Sequence, residues 1–169
     1  MTAPVRAFVG VGANLGDAPA TVRAALQALG RLPGTQCVAV SSLYRSAPVE
    51  ASGPDFINAV AELRTQLPPL ELLRALQAVE QAFGRVRSER NAPRTLDLDL
   101  LLYGEQAMQS DTLTLPHPRL HLRAFVLRPL AELDPALPLP GLGALGPWLQ
   151  RASDQAIERL TGAPTIPPP

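Results

Sequence analysis

The chain contains no lysine, so all fifteen of its basic residues are arginine. A phosphate-binding P-loop and Schiff-base chemistry both depend on a lysine amine, and its absence excludes both kinds of site. Any phosphate site in this protein must therefore be built from arginine guanidinium groups.

Cysteine is nearly absent as well, since Cys37 stands alone and cannot form an internal disulfide. We interpret it as a small core residue. No apolar run is long enough to cross a bilayer, and the N-terminus lacks the pattern of a secretory signal. The formal net charge is zero, which gives no indication of nucleic-acid or anionic-lipid binding. These absences favour a cytoplasmic protein without a nucleic-acid or membrane partner.

What the chain does have is the patterning of one folded unit. We place a single domain at residues 1–160 and expect the proline-rich end, 161–169, to fray. Two helical patterns, 18–30 and 67–84, alternate with four strand patterns in the order β-α-β-β-α-β. This order predicts an α+β fold, a ferredoxin-like two-layer sandwich in which an antiparallel sheet carries both helices on one face. The stretch "LPHPRLHLRAFVLRPLAEL" indicates a loop followed by one or two short helices, and beyond about residue 134 we expect irregular structure.

Helical spacing also predicts which side chains are buried. In the second helix the apolar residues in register are Leu70, Leu73, Leu76 and Val79. Prolines at the start of this helix and Gly84 after its end are typical boundary signals.

Two aspartates interrupt a run of leucines in the stretch "RTLDLDLLLYG". In a strand Asp97 and Asp99 point to the same face, roughly 7 Å apart at their Cα atoms. Two unpaired carboxylates that close repel each other, and a divalent cation such as Mg²⁺ resolves the repulsion. An exposed edge on which the aspartates only aid solubility explains the pattern equally well.

An arginine-rich loop directly precedes this strand and favours the metal interpretation. Arg85, Arg87, Arg90 and Arg94 lie within ten residues. A salt-bridge lattice is one explanation, but exposed ion pairs contribute little stability. The alternative is a clamp for a polyphosphate, because guanidinium groups match phosphate oxygens while a metal bridges the same phosphates to the aspartates.

The segment "RNAPRTLDLDLL" resembles the signature of the hydroxymethyldihydropterin pyrophosphokinase family. The similarity extends through "VGVGANLGD", "SSLYRSAPVE", "DFINAV", "VEQAFGRVR" and "LPHPRLHLRAFVLRPL". The resemblance implies that ATP gives its β,γ-diphosphate to the hydroxymethyl group of a dihydropterin and leaves as AMP, a reaction of folate biosynthesis. It also implies the use of two Mg²⁺ ions, and we predict that the protein is a monomer.

The same resemblance assigns roles to residues of this chain. It implies that Asp97 and Asp99 bind the Mg²⁺ ions and that Arg85 and Arg94 are catalytic. The pterin pocket that it implies consists of Ser46, Ala47, Val49, Phe56, Asn58 and Phe125. The ATP-binding positions that it implies are Gln77, Glu80, Arg87, Arg90, Leu100, Thr114, His117 and Arg123.

Several of these residues have ordinary structural explanations. Phe56 and Phe125 are of a type more often found in a core than in a stacking pair. His117 can cap a turn, and Asn58 can be a hydrogen-bonded structural amide. "GVGANLG" matches a dinucleotide fingerprint only loosely, and the following strands do not form a parallel βαβ unit, so we reject a Rossmann site.

Two other function classes remain open. One is a ferredoxin-like regulatory or nucleic-acid-binding module in which the arginine loop meets a phosphate backbone. The other is a metal-dependent phosphohydrolase that uses the same aspartate pair with water as the acceptor.

Overall fold

The computed structural model describes residues 3–47, 54–84 and 96–160. Its strands are β1 Val5–Ala13, β2 Thr35–Val40, β3 Tyr44–Ser46, β4 Phe56–Thr65, β5 Asp97–Tyr103, β6 Met108–Gln109, β7 Thr114–Leu115, β8 Pro138–Leu139, β9 Gly143–Ala144 and β10 Ile157–Arg159. Its α-helices are α1 Ala18–Leu29, α2 Pro69–Ala82, α3 Ala124–Leu133 and α4 Leu145–Arg151. A short 3₁₀ helix, Leu120–Leu122, precedes α3.

The main sheet is antiparallel and follows the order β10, β3, β4, β1, β5, and β2 also pairs with β4. The long central strands β1 and β4 pair from Val5 opposite Thr65 to Ala13 opposite Ile57. This arrangement confirms the predicted α+β fold with an antiparallel sheet and helices packed on it. In the part of the chain that the structure describes, no helix has the length and apolar content needed to span a membrane.

The first two helices pack on one face of the sheet, as predicted. Helix α1 begins where the Asp17 carboxylate accepts a hydrogen bond from the Ala20 amide, at 3.2 Å. It buries Val22 and Leu26 against that face, and α2 adds Leu72 and Leu76 to the same core. Burying these side chains removes apolar surface from water, which stabilises the packing of the two helices on the sheet.

The buried face of α2 agrees with the prediction except at its first turn. Leu76 is buried, and Leu73 and Val79 pack partly buried against the same core, whereas Leu70 is 38% exposed. Leu72 and Glu80 are buried as well, and the Glu80 carboxylate accepts a hydrogen bond from the Leu98 backbone amide at 2.8 Å. That bond turns a charged residue toward the sheet, which a pattern of apolar residues does not predict.

A second pair of helices covers the opposite face: α3 lies in the stretch predicted to hold one or two short helices, whereas α4 was not predicted. Helices α3 and α4 pack with Phe8 and Leu101 in a separate core, which also includes Leu127 and Leu145. The region beyond residue 134, expected to be irregular, contains α4 and β10 as well as the two-stranded ribbon β8–β9. The proposed frayed tail lies outside the described residues, and so does the arginine loop from residue 85 to residue 94.

A β-bulge in β5 changes one part of the predicted alternation. Phe8 pairs with Leu102 and the next residue of β1, Val9, pairs with Leu100, so Leu101 is an extra residue. As a result Leu102 packs in the second core, whereas Tyr103 packs in the first. Strict alternation along the strand would place Leu102 in the first core and Tyr103 in the second. The bulge lies after the aspartates and leaves them on the α3 face.

Candidate active site

A cavity of about 310 Å³ opens on the α3 face of the sheet. It lies across the ends of β1, β4 and β5, next to the start of α3. Its lining consists of Gly10, Val11, Gly12, Ser46, Ala47, Phe56, Asn58, Ala59, Asp97, Asp99, Leu101, Arg123, Phe125 and Val126.

Two glycines of the central strand form the floor of this cavity. Gly10 pairs with Asp99 and Gly12 with Asp97, while on the other side of β1 Gly12 pairs with Asn58. Glycine inside a strand weakens it and often marks the close approach of a ligand. The absence of side chains at these positions opens the space between the aspartates and Asn58.

The two aspartates occupy one side of the cavity. Asp97 and Asp99 are both half-buried, while Leu98 between them is buried on the opposite face of the sheet. This is the shared face that the spacing predicts. Within the described residues no group of three His, Cys, Asp or Glu side chains comes together as a metal centre. The pair can therefore supply only part of a cation's coordination shell.

Aromatic and amide groups line the rest of the cavity. Phe56 and Phe125 both line it, and so does Asn58, which is only 5% exposed. The Asn58 Nδ2 atom donates a hydrogen bond to Ser46 Oγ at 2.7 Å. The structure thus brings together five of the six residues predicted to bind a pterin, including Ala47, and the sixth, Val49, lies outside the described residues.

Arg123 lies near both the acidic side and the aromatic side of the cavity. Its guanidinium carbon lies 5.3 Å from the centre of the Phe125 ring. Burial lowers the pKa of Arg123, and the negative charge of Asp99 acts in the opposite direction. An arginine stays charged at neutral pH in such a setting, so it offers a cation between the aspartates and the aromatic wall.

His117 lies close enough to Asp99 for the negative charge of Asp99 to act on its imidazole. Its backbone amide donates to Leu101 O at 2.9 Å, and its Nδ1 accepts from the Arg119 amide at 3.1 Å. Burial lowers the pKa of His117, although Asp99 opposes the shift. The Nδ1 contact is the turn cap considered from the sequence, and with Nδ1 as an acceptor the neutral imidazole carries its proton on Nε2.

Four further predicted ATP positions, Gln77, Glu80, Leu100 and Thr114, lie on or near β5, which ends the described sheet. Glu80 binds the Leu98 amide there, and Gln77 is exposed one turn earlier on α2. Thr114 lies on β7, which contacts β5. The Leu100 side chain is buried in the first core, so only its backbone can serve a ligand. Arg85, Arg87, Arg90 and Arg94 lie outside the described residues.

Helix α3 is fixed at both ends by side chains that the sequence did not single out. Near its C-terminal end, Glu132 accepts hydrogen bonds from the Ser42 amide at 3.0 Å and from the Tyr44 hydroxyl at 2.6 Å. At its start, Gln155 Oε1 accepts from the Ala124 amide at 2.9 Å, while its Nε2 donates to Leu122 O at 2.8 Å. Arg123 lies between the two backbone groups that Gln155 binds.

These contacts explain how α3 can begin at a functional residue. Arg123 occupies the N-cap position and makes no side-chain capping bond. The usual capping residues are Ser, Thr, Asp and Asn, which accept from the first free amides. Here Gln155 supplies the acceptor from elsewhere in the chain, which leaves the Arg123 side chain at the cavity. Neither Glu132 nor Gln155 forms part of a local motif that would reveal this role.

Residues 8–135 match the protein family described as 7,8-dihydro-6-hydroxymethylpterin-pyrophosphokinase (HPPK). The chain belongs to this family. The match confirms the resemblance inferred from the motifs. The matched region ends at residue 135, so Gln155, which binds the start of α3 beside the cavity, lies beyond it.

Curated HPPK relatives align over nearly the whole chain. The 2-amino-4-hydroxy-6-hydroxymethyldihydropteridine pyrophosphokinase of Pseudomonas aeruginosa is 50% identical over 159 residues, which cover 94% of this chain and 98% of the relative. The enzyme of the same name from Haemophilus influenzae is 40% identical over 157 residues, 92% of this chain and 98% of its own.

Solved structures give the same fold at much lower identity. The chain matches a structure described as HPPK-DHPS in complex with substrates with a TM-score of 0.71 and 12% identity. The match covers 89% of this chain and 43% of the other, so this HPPK family member spans less than half of that larger protein. At such identity the likeness concerns the fold alone.

Proposed function

We propose that this HPPK family member transfers the β,γ-diphosphate of ATP to the hydroxymethyl group of 6-hydroxymethyl-7,8-dihydropterin, with release of AMP, in folate biosynthesis. The hydroxymethyl oxygen attacks the β-phosphorus and its proton is released, while the bond between that phosphorus and the α–β bridging oxygen breaks and AMP leaves with that oxygen. The observation that carries the proposal is one cavity in which Asp97 and Asp99 share the space with Asn58 and two phenylalanines.

The uncharged part of the cavity suits a flat, polar heterocycle. Phe56 and Phe125 offer ring faces for stacking, which favours planar ligands. An amide such as that of Asn58 has both donor and acceptor capacity, which matches the edge of a pterin ring. Burial of Asn58 makes an unpaired ligand group costly, so the pocket discriminates against rings that lack this edge.

The charged part of the cavity suits a metal-bound polyphosphate. We assign Asp97 and Asp99 as ligands of two Mg²⁺ ions, because hard oxygen ligands suit this cation and it keeps open positions for phosphate oxygens. When bound, Mg²⁺ neutralises phosphate charge and favours attack at phosphorus. We assign Arg123, which lines the cavity, to hold the phosphates, and Arg85 and Arg94, in the segment before β5, to assist transfer.

The ATP site extends from the cavity along the outer edge of β5. His117, Thr114 and the end of α2 lie beside that edge. We propose that the protein acts as a monomer in the cytoplasm and binds no nucleic acid.

The test is AMP formation from ATP and Mg²⁺, with and without 6-hydroxymethyl-7,8-dihydropterin. The proposal predicts AMP release that requires the pterin and a product that carries the diphosphate. AMP and free diphosphate formed without the pterin would instead identify a phosphohydrolase. Absence of AMP under both conditions, together with Mg²⁺-independent, salt-sensitive binding of nucleic acid, would identify the binding module.

A further inference from the structure

Asn58 is held from one side by a hydrogen bond and from the other by close packing. Its amide donates to Ser46 Oγ at 2.7 Å, and both residues are buried. In the sheet Asn58 stands directly opposite Gly12 of β1. The amide therefore lies between the tether on β3 and the backbone of the central strand.

Gly12 leaves no spare room next to that amide. A Cβ atom added there would lie 3.1 Å from Asn58 Oδ1, with Ile57 O and Phe56 Cδ1 next at 3.9 Å. A contact of 3.1 Å forces the neighbour to move by a few tenths of an ångström. Because Ser46 holds the amide on its other side, that movement changes either the tether or the position of the amide in the cavity.

The neighbouring glycine differs in this respect. At Gly10, on the same strand and the same face, the three atoms nearest an added Cβ all belong to the Leu101 side chain, at 3.5 Å or more, which is ordinary contact. Both glycines line the cavity floor, but the Asn58 amide is among the atoms nearest an added Cβ at Gly12 and is not among them at Gly10.

We propose that Gly12 is a specificity-determining residue of the pterin pocket: its missing side chain leaves the space in which the Asn58 amide, tethered by Ser46, meets the pterin. The inference rests on the proposed function and adds to it a residue that carries no functional group. Hydrogen-bond strength falls steeply with misalignment, so a displaced amide weakens recognition of the ring.

The experiment is steady-state kinetics of Gly12→Ala with each substrate varied in turn. We expect the KM for the pterin to rise about tenfold, the effect of losing roughly one well-formed hydrogen bond to a buried group. The KM for ATP should change far less, because none of the three atoms nearest the added Cβ belongs to an aspartate or an arginine. Gly10→Ala is the matched comparator, and its pterin KM should rise by less than a third of the Gly12→Ala change.

Two outcomes overturn the proposal: a wild-type pterin KM in Gly12→Ala, or equal increases in both KM values. If Gly12→Ala fails to fold, variants of Ser46, which tethers the Asn58 amide, test the proposal instead. Ser46→Ala should raise the pterin KM while Ser46→Thr, which keeps the hydroxyl, restores it, and equal effects of the two variants would refute the inference. A wild-type enzyme without pterin-dependent AMP release would contradict the proposed function itself, which keeps the two failures distinct.

Discussion

At the residue scale, Asp97 and Asp99 show how much can be deduced from two positions. Strand alternation alone places both carboxylates on one face, and the structure finds both on the cavity. Their neighbours could not be deduced in the same way, because Arg123 and Asn58 reach the site from other elements. The family resemblance supplied those residues, and local spacing did not.

Asp97→Asn tests the metal assignment with little change of shape. The variant keeps the size of the side chain and removes the charge that a divalent cation requires. We expect kcat to fall on the order of hundredfold or more at fixed Mg²⁺, since metal-assisted transfer depends on this charge. The measurement is AMP release, accompanied by a thermal melt to verify the fold.

Asp111→Asn, at an exposed position away from the cavity, is the control for loss of a negative charge. It should keep the kcat of the wild type. An Asp97→Asn enzyme with normal turnover would rule out this residue as a metal ligand.

At the scale of secondary-structure elements, the sequence predicted those whose patterns are local. Strands β1 and β4 and helices α1 and α2 follow from apolar spacing and boundary residues. Helix α4 was missed because its stability comes from tertiary contacts: Leu145 is buried, and Trp148 Nε1 donates to Leu142 O at 2.9 Å. The bulge at Leu101 was missed because it depends on pairing with β1, which no local pattern contains.

Glu132 ties α3 to the segment before β3, and its titration gives a pH-dependent prediction. Burial alone would raise the pKa of Glu132, but hydrogen bonds from Tyr44 and Ser42 and the charge of Arg159 together lower it. A carboxylate with a lowered pKa stabilises the fold above its unfolded pKa of about 4.5 and loses this contribution as the pH falls. Glu132→Gln should therefore lose about 1–3 kcal/mol of unfolding free energy at pH 7 and less in acid.

The measurement is urea unfolding at pH 7 and near pH 3. Glu158→Gln is the control, since Glu158 is exposed and pairs only with the exposed Arg45 in the described structure. Its stability should stay within about 0.5 kcal/mol of the wild type. An equal loss of unfolding free energy for Glu132→Gln at both pH values would show that the charge of Glu132 does not contribute to stability.

Gln155 caps the start of α3, and its removal should be visible in one backbone amide. Without its acceptor, the Ala124 amide should exchange with solvent on the order of tenfold faster, as expected for the loss of a helix cap. The measurement is amide hydrogen exchange by NMR on Gln155→Ala. Gln150→Ala, an exposed glutamine of α4, should leave Ala124 exchange unchanged. Equal exchange in both variants would show that Gln155 does not fix this end.

At the scale of the whole molecule, the sheet separates a stabilising layer from a functional one. Helices α1 and α2 close one face with a continuous apolar core, whereas the other face holds both the core under α3 and α4 and the cavity. The fold class and the position of α1 and α2 on one face of the sheet could be predicted, because both follow from the order of helices and strands along the chain. In the second helical layer α3 lies where the sequence indicates helix, whereas α4 lies in a proline- and glycine-rich segment that the sequence indicates as irregular.

The central claim is that Asp97 and Asp99 hold the cations that bind ATP beside the pterin. The most direct test is a crystal of the full chain with a non-hydrolysable ATP analogue, 6-hydroxymethylpterin and Mn²⁺ in place of Mg²⁺, with the metal located by anomalous scattering. The account predicts metal peaks about 2.1 Å from carboxylate oxygens of Asp97 and Asp99 and from phosphate oxygens of the analogue. A bound analogue whose metal lies away from both aspartates would contradict it.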